Sequence, residues 1–463
     1  MQATGYGLRA TGAVATLLTL ALFAAPATAA EAPKTVSFKR DIAPILVKNC
    51  FACHGPTDPK GDYQLHTFAA LKKAGESETA SVVTGKPDDS YLYQLISSSD
   101  SAERMPKEAD PLPKDQVALV KLWIEQGAKF DGGDAQALLT TMLPRKIHAP
   151  PPEKYRLPVA ITAVAFAPEG KELAVGGYHE ITLWNVEKGE LLRRIKNVEE
   201  RVYALAYQPG GKLLVAAGGT PGVSGEVSLY DPEKGALVRT LVTSADCAFG
   251  AAFSPDGKQV ASCGADRSVR FFDTASGKQQ RLIEDHADWV LGIAWNHAGT
   301  QVASASRDKS AKLFDVKTGE ALVSYTGHSE TVYCTAFGAD DKLVYSGGAD
   351  KKVHAWNVSD GKQSTTMSAG GEVFRLIVDD KQIWACGSDK AIHQFVVGDP
   401  KKEARAFKGH TDYIYALAFH AASHRLASGS YDGEVRIWNA DDGKQLLVFR
   451  AAPGYEPPQT AKK

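Results

Sequence analysis

Methionine is scarce in this chain: four in 463 residues, one of them Met1. Cysteine is nearly as rare, with six, and charge almost cancels, 53 basic residues against 54 acidic. A balance of that kind leaves no electrostatic footprint for a nucleic-acid partner. The apolar stretch from Ala13 to Ala25 is too short to span a membrane. Arg9 stands before it and Ala27-Thr28-Ala29 follows, the layout of a secretory signal over 1–30 with cleavage expected after Ala29 or Ala30. No cysteine lies at that point, so no bacterial lipid anchor is expected. Gly-x-Ser-x-Gly, His-Glu-x-x-His and a phosphate-binding glycine loop are also missing, which removes the commonest hydrolase, metalloprotease and nucleotide sites.

Against that background one pentapeptide stands out: Cys50-Phe51-Ala52-Cys53-His54. Chance would produce this pattern about 0.002 times in a chain of this composition. Two cysteines three apart, on one helical turn, can reach the two vinyl groups of a porphyrin, and the next imidazole then lies under the iron. The competing readings are a redox dithiol and half of a zinc site; the second needs another ligand pair nearby, and none follows. The expectation is therefore one covalent haem c on Cys50 and Cys53, with His54 as proximal iron ligand. Export fits, because this attachment takes place outside the cytoplasm in bacteria. The other cysteines, Cys247, Cys263, Cys334 and Cys386, sit in separate apolar strand patterns and are expected as buried free thiols.

From Val36 to Phe130 the pattern is helical with long polar connections. Asp41 is placed to cap a helix carrying Pro44 in its first turn, where a missing N–H is harmless. A second helix is expected from about Lys114 to Gln126, its Leu119, Val120, Trp123 and Ile124 forming an apolar face and Gly127 ending it. The sixth iron ligand has few contenders. Met105, 51 residues after His54 in a Met-Pro pair between the two helices, is the expected distal ligand. Met142, His66 and an open position are its rivals. The Pro56 carbonyl is a natural partner for the His54 ring.

These runs resemble the planctomycete-type cytochrome c domain. The matching stretches are Phe38-Lys-Arg-Asp-Ile-Ala-Pro-Ile-Leu46, Cys50 to Pro56, Leu71-Lys-Lys-Ala-Gly-Glu-Ser77, Gly85-Lys-Pro-Asp-Asp-Ser90-Tyr-Leu92, Arg104-Met105-Pro106 and Trp123-Ile-Glu-Gln-Gly-Ala128. Lys107 departs from the second proline common in that family. The resemblance implies a small all-α haem domain over 31–130. From 131 to 154 the composition turns to Gly-Gly and then Pro150-Pro151-Pro152, read as a semi-rigid linker.

From Tyr155 a strand pattern recurs, its third strand ending in an aromatic residue followed mostly by Asp or Asn. The aromatics are Trp184, Tyr230, Phe272, Phe314, Trp356, Phe395 and Trp438, at spacings of 46, 42, 42, 42, 39 and 43. This period resembles that of WD40 repeats and implies an all-β seven-bladed propeller over 155–450, with 451–463 as a tail. Blades five and seven carry a full hydrogen-bonding set, His328/Ser346/Asp350/Trp356 and His410/Ser428/Asp432/Trp438. Blade four keeps His286, Ser304 and Asp308, but Phe314 cannot donate. Blade one has Tyr178 in place of Asp, and the neighbouring His179 is the one odd polar residue. The run Lys444 to Phe449 reads as the outer strand of the last blade, so that blade completes itself. The functional expectation is an exported electron carrier whose propeller docks a redox partner protein. The alternatives are a scaffold with accessory haem and a haem-fed oxidoreductase with its catalytic site in the propeller.

Overall fold

The computed structural model describes residues 35–55, 59–107, 110–142 and 147–456; the expected signal over 1–30 lies outside them. The first region is built from short helices: α1 (Ala43–Asn49), α2 (Phe51–His54), α3 (Phe68–Leu71), α4 (Tyr91–Ser97), α5 (Lys114–Glu125) and α6 (Leu139–Met142). α5 takes the expected bounds, and Gly127, at φ +98°, turns the chain away. α1 carries Pro44 in its first turn but has no side-chain cap. Asp41 is instead used one turn earlier. Its carboxylate accepts the Ser37 N–H at 2.9 Å, while Ser37 Oγ accepts the Arg40 N–H at 3.0 Å, a reciprocal pair that closes the turn Phe38–Ile42.

These helices enclose one core. Phe38, Leu46, Leu71 and Trp123 are wholly buried there. Phe68 lies edge-on to Phe38 at 4.8 Å and stacks on Phe130 at 4.3 Å. The Trp123 indole donates to the Lys129 carbonyl at 2.9 Å, so its one polar atom is satisfied. The stretch expected as a linker begins as part of this unit. Thr67 bridges Leu138, Leu139 donates to the His66 carbonyl at 2.9 Å, and Leu139 and Met142 are buried in the core. The reason is the apolar Ala137, Leu138, Leu139 and Met142, which follow the glycines and have a face to cover. Further on, Arg194 donates to the Pro152 carbonyl at 2.7 Å and Tyr155 Oη to the buried Glu180 at 2.6 Å, pinning the proline segment to blade one.

The remainder is a ring of seven antiparallel four-stranded sheets, each in sequential order: 164–196, 201–244, 248–283, 290–325, 332–368, 373–408 and 414–450. All seven repeat aromatics fall at the end of a third strand. The acidic or amide residue after the aromatic has a mechanical role. Asp273 accepts the Ser276 N–H and Asp315 the Thr318 N–H, both at 2.7 Å, and Gly277 and Gly319 take positive φ, closing the turn to the outer strand. The outer strand of blade seven is Gln445–Arg450, so the last blade completes itself as expected. The ring shuts by packing of Ile161, Val164 and Trp184 on Ala416, Ile437 and Ala451. Two backbone bonds reinforce it, Ile161 N–H to Ser430 O and Tyr155 N–H to Pro453 O, each 3.0 Å. Among the described residues no helix is long and apolar enough to cross a membrane.

Candidate haem site and the buried polar chains of the propeller

α2 is the last four residues of the pentapeptide, with Cys50 as its N-cap. Cys50 begins the turn, and its carbonyl accepts the N–H groups of Cys53 at 3.2 Å and His54 at 3.0 Å, so both thiols and the imidazole issue from one helical turn. Cys53 is exposed; burial, and then the neighbouring Cys53, pushes the Cys50 thiol up to about 12. His54 Nδ1 lies 3.0 Å from the Tyr63 carbonyl. A carbonyl oxygen can only accept, so Nδ1 carries a proton and Nε2 is the nitrogen left for a metal, the arrangement that orients metal-binding histidines. Pro56, expected in this role, lies outside the described residues; Tyr63 holds the ring, and nothing in its spacing announced it. The phenol of Tyr63 is itself tied to Leu71 O at 3.0 Å and Ser81 Oγ at 2.6 Å. The donor set fits a covalently attached haem.

Met105 follows α4, its N–H bonded to Leu95 O at 3.0 Å, and its side chain packs half-buried on the same core as Cys50, Phe51 and Tyr63. Met142 is buried inside that core beside Gly132 and Phe130. His66 lines a cleft of about 1210 Å³ between the helical region and the outer strands of blades two and three.

In the propeller the polar chains form as their spacing implies. His410 reaches Asp432 at 3.1 Å and Ser428 at 2.8 Å, and Trp438 donates to Ser428 at 2.9 Å. His328 reaches Asp350 and Ser346, both at 2.8 Å, and Trp356 donates to Ser346 at 3.2 Å. His286 meets Asp308 and Ser304 at 2.7 Å, and the chain stops at Phe314. Burial opposes ionisation of Asp432, but the His410 hydrogen bond and backbone N–H donors outweigh it and hold the carboxyl below its usual range. Cys247, Cys263, Cys334 and Cys386 are buried free thiols, the last three with pKa raised chiefly by burial.

His179 packs in the first-blade turn with Nδ1 3.2 Å from Val198 O. Its ring is 6.3 Å from that of His148, a residue the linker reading passed over. His148 is buried between Glu199 at 3.7 Å and Glu226 at 3.5 Å, and both carboxylates line the cleft and have further interactions. At one mouth of the central channel, where the innermost strands begin, aromatic side chains form two arcs. Tyr203, Phe249 and Trp289 touch in sequence at 5.3 and 5.6 Å. Tyr333, Phe374 and Tyr415 do so at 5.3 and 5.0 Å. Tyr413 and Tyr431 extend the second arc into solvent, 41% and 57% exposed.

A helical unit presenting this donor set and a seven-bladed propeller together define a cytochrome c-like region joined to a repeat platform. Comparison with known families agrees. The profile described as planctomycete cytochrome C matches residues 50–109, and that of the WD domain, G-beta repeat, matches 235–273, 277–315, 319–357 and 401–439. Three of the four WD40 matches start just before the outer strand of one blade and the fourth just inside it, and each ends with the third strand of the next. No curated protein matches the chain.

Proposed function

We propose that this chain is an exported c-type cytochrome that carries electrons through one haem while the propeller docks its redox partner. Cys50 and Cys53 hold the haem through thioethers, His54 is the proximal iron ligand and Met105 the distal one. The observation that carries this reading is His54, whose Nδ1–H is committed to the Tyr63 carbonyl and whose Nε2 is thereby the nitrogen presented to a metal. Bound haem supplies a one-electron couple. The chain's own part is to orient His54 and to bring the Met105 thioether onto the same core; a haem held by both would have no open place for substrate, which suits transfer rather than substrate activation. Docking is supported by the aromatic arcs, since Tyr, Trp and Phe are enriched at protein interfaces.

The test is direct. Protein made with a cytochrome c maturation system should keep its haem absorbance through acid-acetone extraction, and the double variant Cys50→Ser, Cys53→Ser should lose it. Retention by the variant sinks the assignment. Met105→Ala should remove the thioether-to-iron charge-transfer band and lower the reduction potential; a persisting band would transfer the role to another residue. A second reading, a haem-fed oxidoreductase, draws on the cleft beside His148, Glu199 and Glu226. Steady turnover of nitrite or peroxide by the isolated protein, lost in His148→Gln, would favour it over the carrier.

A further inference from the structure

Two residues before the repeat aromatic, on the third strand, blades three to seven all carry a basic side chain: Arg270, Lys312, His354, His393 and Arg436. In four of them it pairs with an acid. Arg270 meets Asp266 at 2.6 Å, Lys312 meets Asp285 at 2.7 Å and Arg436 meets Glu434 at 2.7 Å. His393 lies between Asp389 at 2.5 Å and Glu403 at 2.9 Å. In each of these four blades a basic group at this position is paired with a carboxylate, in blades three and six the one that stands six residues before the aromatic.

Blade five differs. His354 is buried and packs against His328, ring centroids 4.0 Å apart and the planes tilted by 31°. Tyr325 Oη, 2.6 Å from His354 Nδ1, donates its one proton to Gln363 Oε1 at 2.7 Å. It must therefore accept from His354, so Nδ1 carries the ring proton and Nε2 holds a lone pair. That lone pair makes no hydrogen bond and lies 3.6 Å from Asp350 Oδ2, itself an acceptor. The same oxygen takes the His328 Nδ1 proton at 2.8 Å. Two acceptors buried face to face cost free energy unless something positive sits between them. Tyr325 holds Nδ1 from behind, in the place where metal-binding histidines usually have a carboxylate, backbone carbonyl or water.

We propose that His328, Asp350 and His354 bind one divalent transition-metal ion of the zinc class at the channel-mouth end of blade five. The three donor atoms lie within 4.8 Å of one another. Two imidazoles and a carboxylate are a common zinc set, with a water in the fourth position. The ion would replace the proton that His328 Nδ1 shares with Asp350, and the His328 proton would move to Nε2, facing Ser346 Oγ at 2.8 Å. Zinc has no redox chemistry, so the site would brace the blade without serving as a second electron carrier. The inference is independent of the haem assignment.

The experiment uses the full-length haem-loaded protein, stripped with a chelator, equilibrated with zinc chloride, passed through gel filtration and analysed for zinc and iron per chain. Wild type should retain one zinc and melt at higher temperature with zinc than without. His354→Gln should lose both effects while keeping its haem spectrum. Tyr325→Phe should weaken zinc binding by roughly 10–100-fold. His354→Arg, which restores the cation of blades three and seven, should fold normally and bind no zinc. Wild type that retains no zinc overturns the proposal, as does undiminished binding in His354→Gln. Loss of zinc in His148→Gln with retention in His354→Gln would place the ion at the other histidine cluster and overturn it equally.

Discussion

The helical region and the propeller solve the burial problem in opposite ways. The first has a single core around Phe38, Phe68 and Trp123, completed by a C-terminal stretch that returns to cover it. The second has seven cores, each set between neighbouring blades: one joins blades one and two, another blades four and five, and the last closes blade seven on blade one. A defect in the single core has nowhere to be shared, whereas a defect between two blades leaves the other contacts of the ring standing. The same contrast governs chemistry. The helical unit leaves Cys50, Phe51, Tyr63 and Met105 only partly buried on one core, as a cofactor-binding surface requires. The propeller turns the histidines of its polar chains, His286, His328 and His410, inward into hydrogen-bonded chains.

The sharpest way to break this comparison is through Trp123. It is fully buried, touches Phe38 and Phe68, and has its indole N–H satisfied. Trp123→Ala should destabilise the helical unit by about 3–5 kcal/mol and weaken haem retention. The propeller transition in calorimetry should stay where it is, because its cores share no side chain with this one. A matching fall in both transitions would mean that the two regions unfold as one.

A smaller effect is expected within the ring. Asp432→Ala strands the buried His410 N–H and should lower the unfolding free energy of the propeller by about 1–3 kcal/mol. Asp266 in blade three has no histidine to serve; it meets Arg270 and Ser268 and is more exposed. Asp266→Ala should therefore cost less, no more than about 1 kcal/mol. The haem spectrum should be unmoved in both. Equal losses in a urea titration would show that the histidine contributes nothing beyond a surface pair.

The repeat aromatics were legible because a propeller imposes its period on every blade, and the polar chains because their members recur at fixed offsets from the aromatic. The Cys50–His54 pentapeptide is legible for a different reason: it is local, complete within one turn. What escaped was set by contacts distant in sequence or by competition. Ser37 took the capping role expected near Asp41, because the helical turn begins earlier and Asp41 serves better by reaching back. Tyr63 orients His54 through a backbone carbonyl, which no side-chain pattern records. His148 looked like linker because its acidic neighbours are 51 and 78 residues away. His354 was visible two places before Trp356, but its lone pair is revealed only when Tyr325 and Gln363 fix the ring proton.

The subtlest comparison is between blades six and seven, whose buried pairs respond to pH in opposite directions. Burial alone would lower the His393 pKa, but hydrogen bonds and charge from Asp389, then Glu403, overcome it and raise the value above the ordinary 6.5. The folded state therefore binds the proton more tightly than the unfolded chain, and linkage gives the sign. The stabilisation is fully present below pH 6.5 and fades as pH rises through the higher folded value. Asp432, held below its ordinary 3.8, stabilises above that pH and loses its contribution only as acid takes pH down through the lower folded value. The pair in blade six is partly exposed on its acidic side, Glu403 at 38%, so its worth is no more than about 1 kcal/mol. The measurement is the difference in unfolding free energy between wild type and His393→Gln, taken by urea titration from pH 5.5 to 9. That difference should be largest at the acid end and shrink toward zero at the alkaline end. A difference that is flat, or that grows with pH, would show that His393 is held neutral and that blade six gains nothing from its charge.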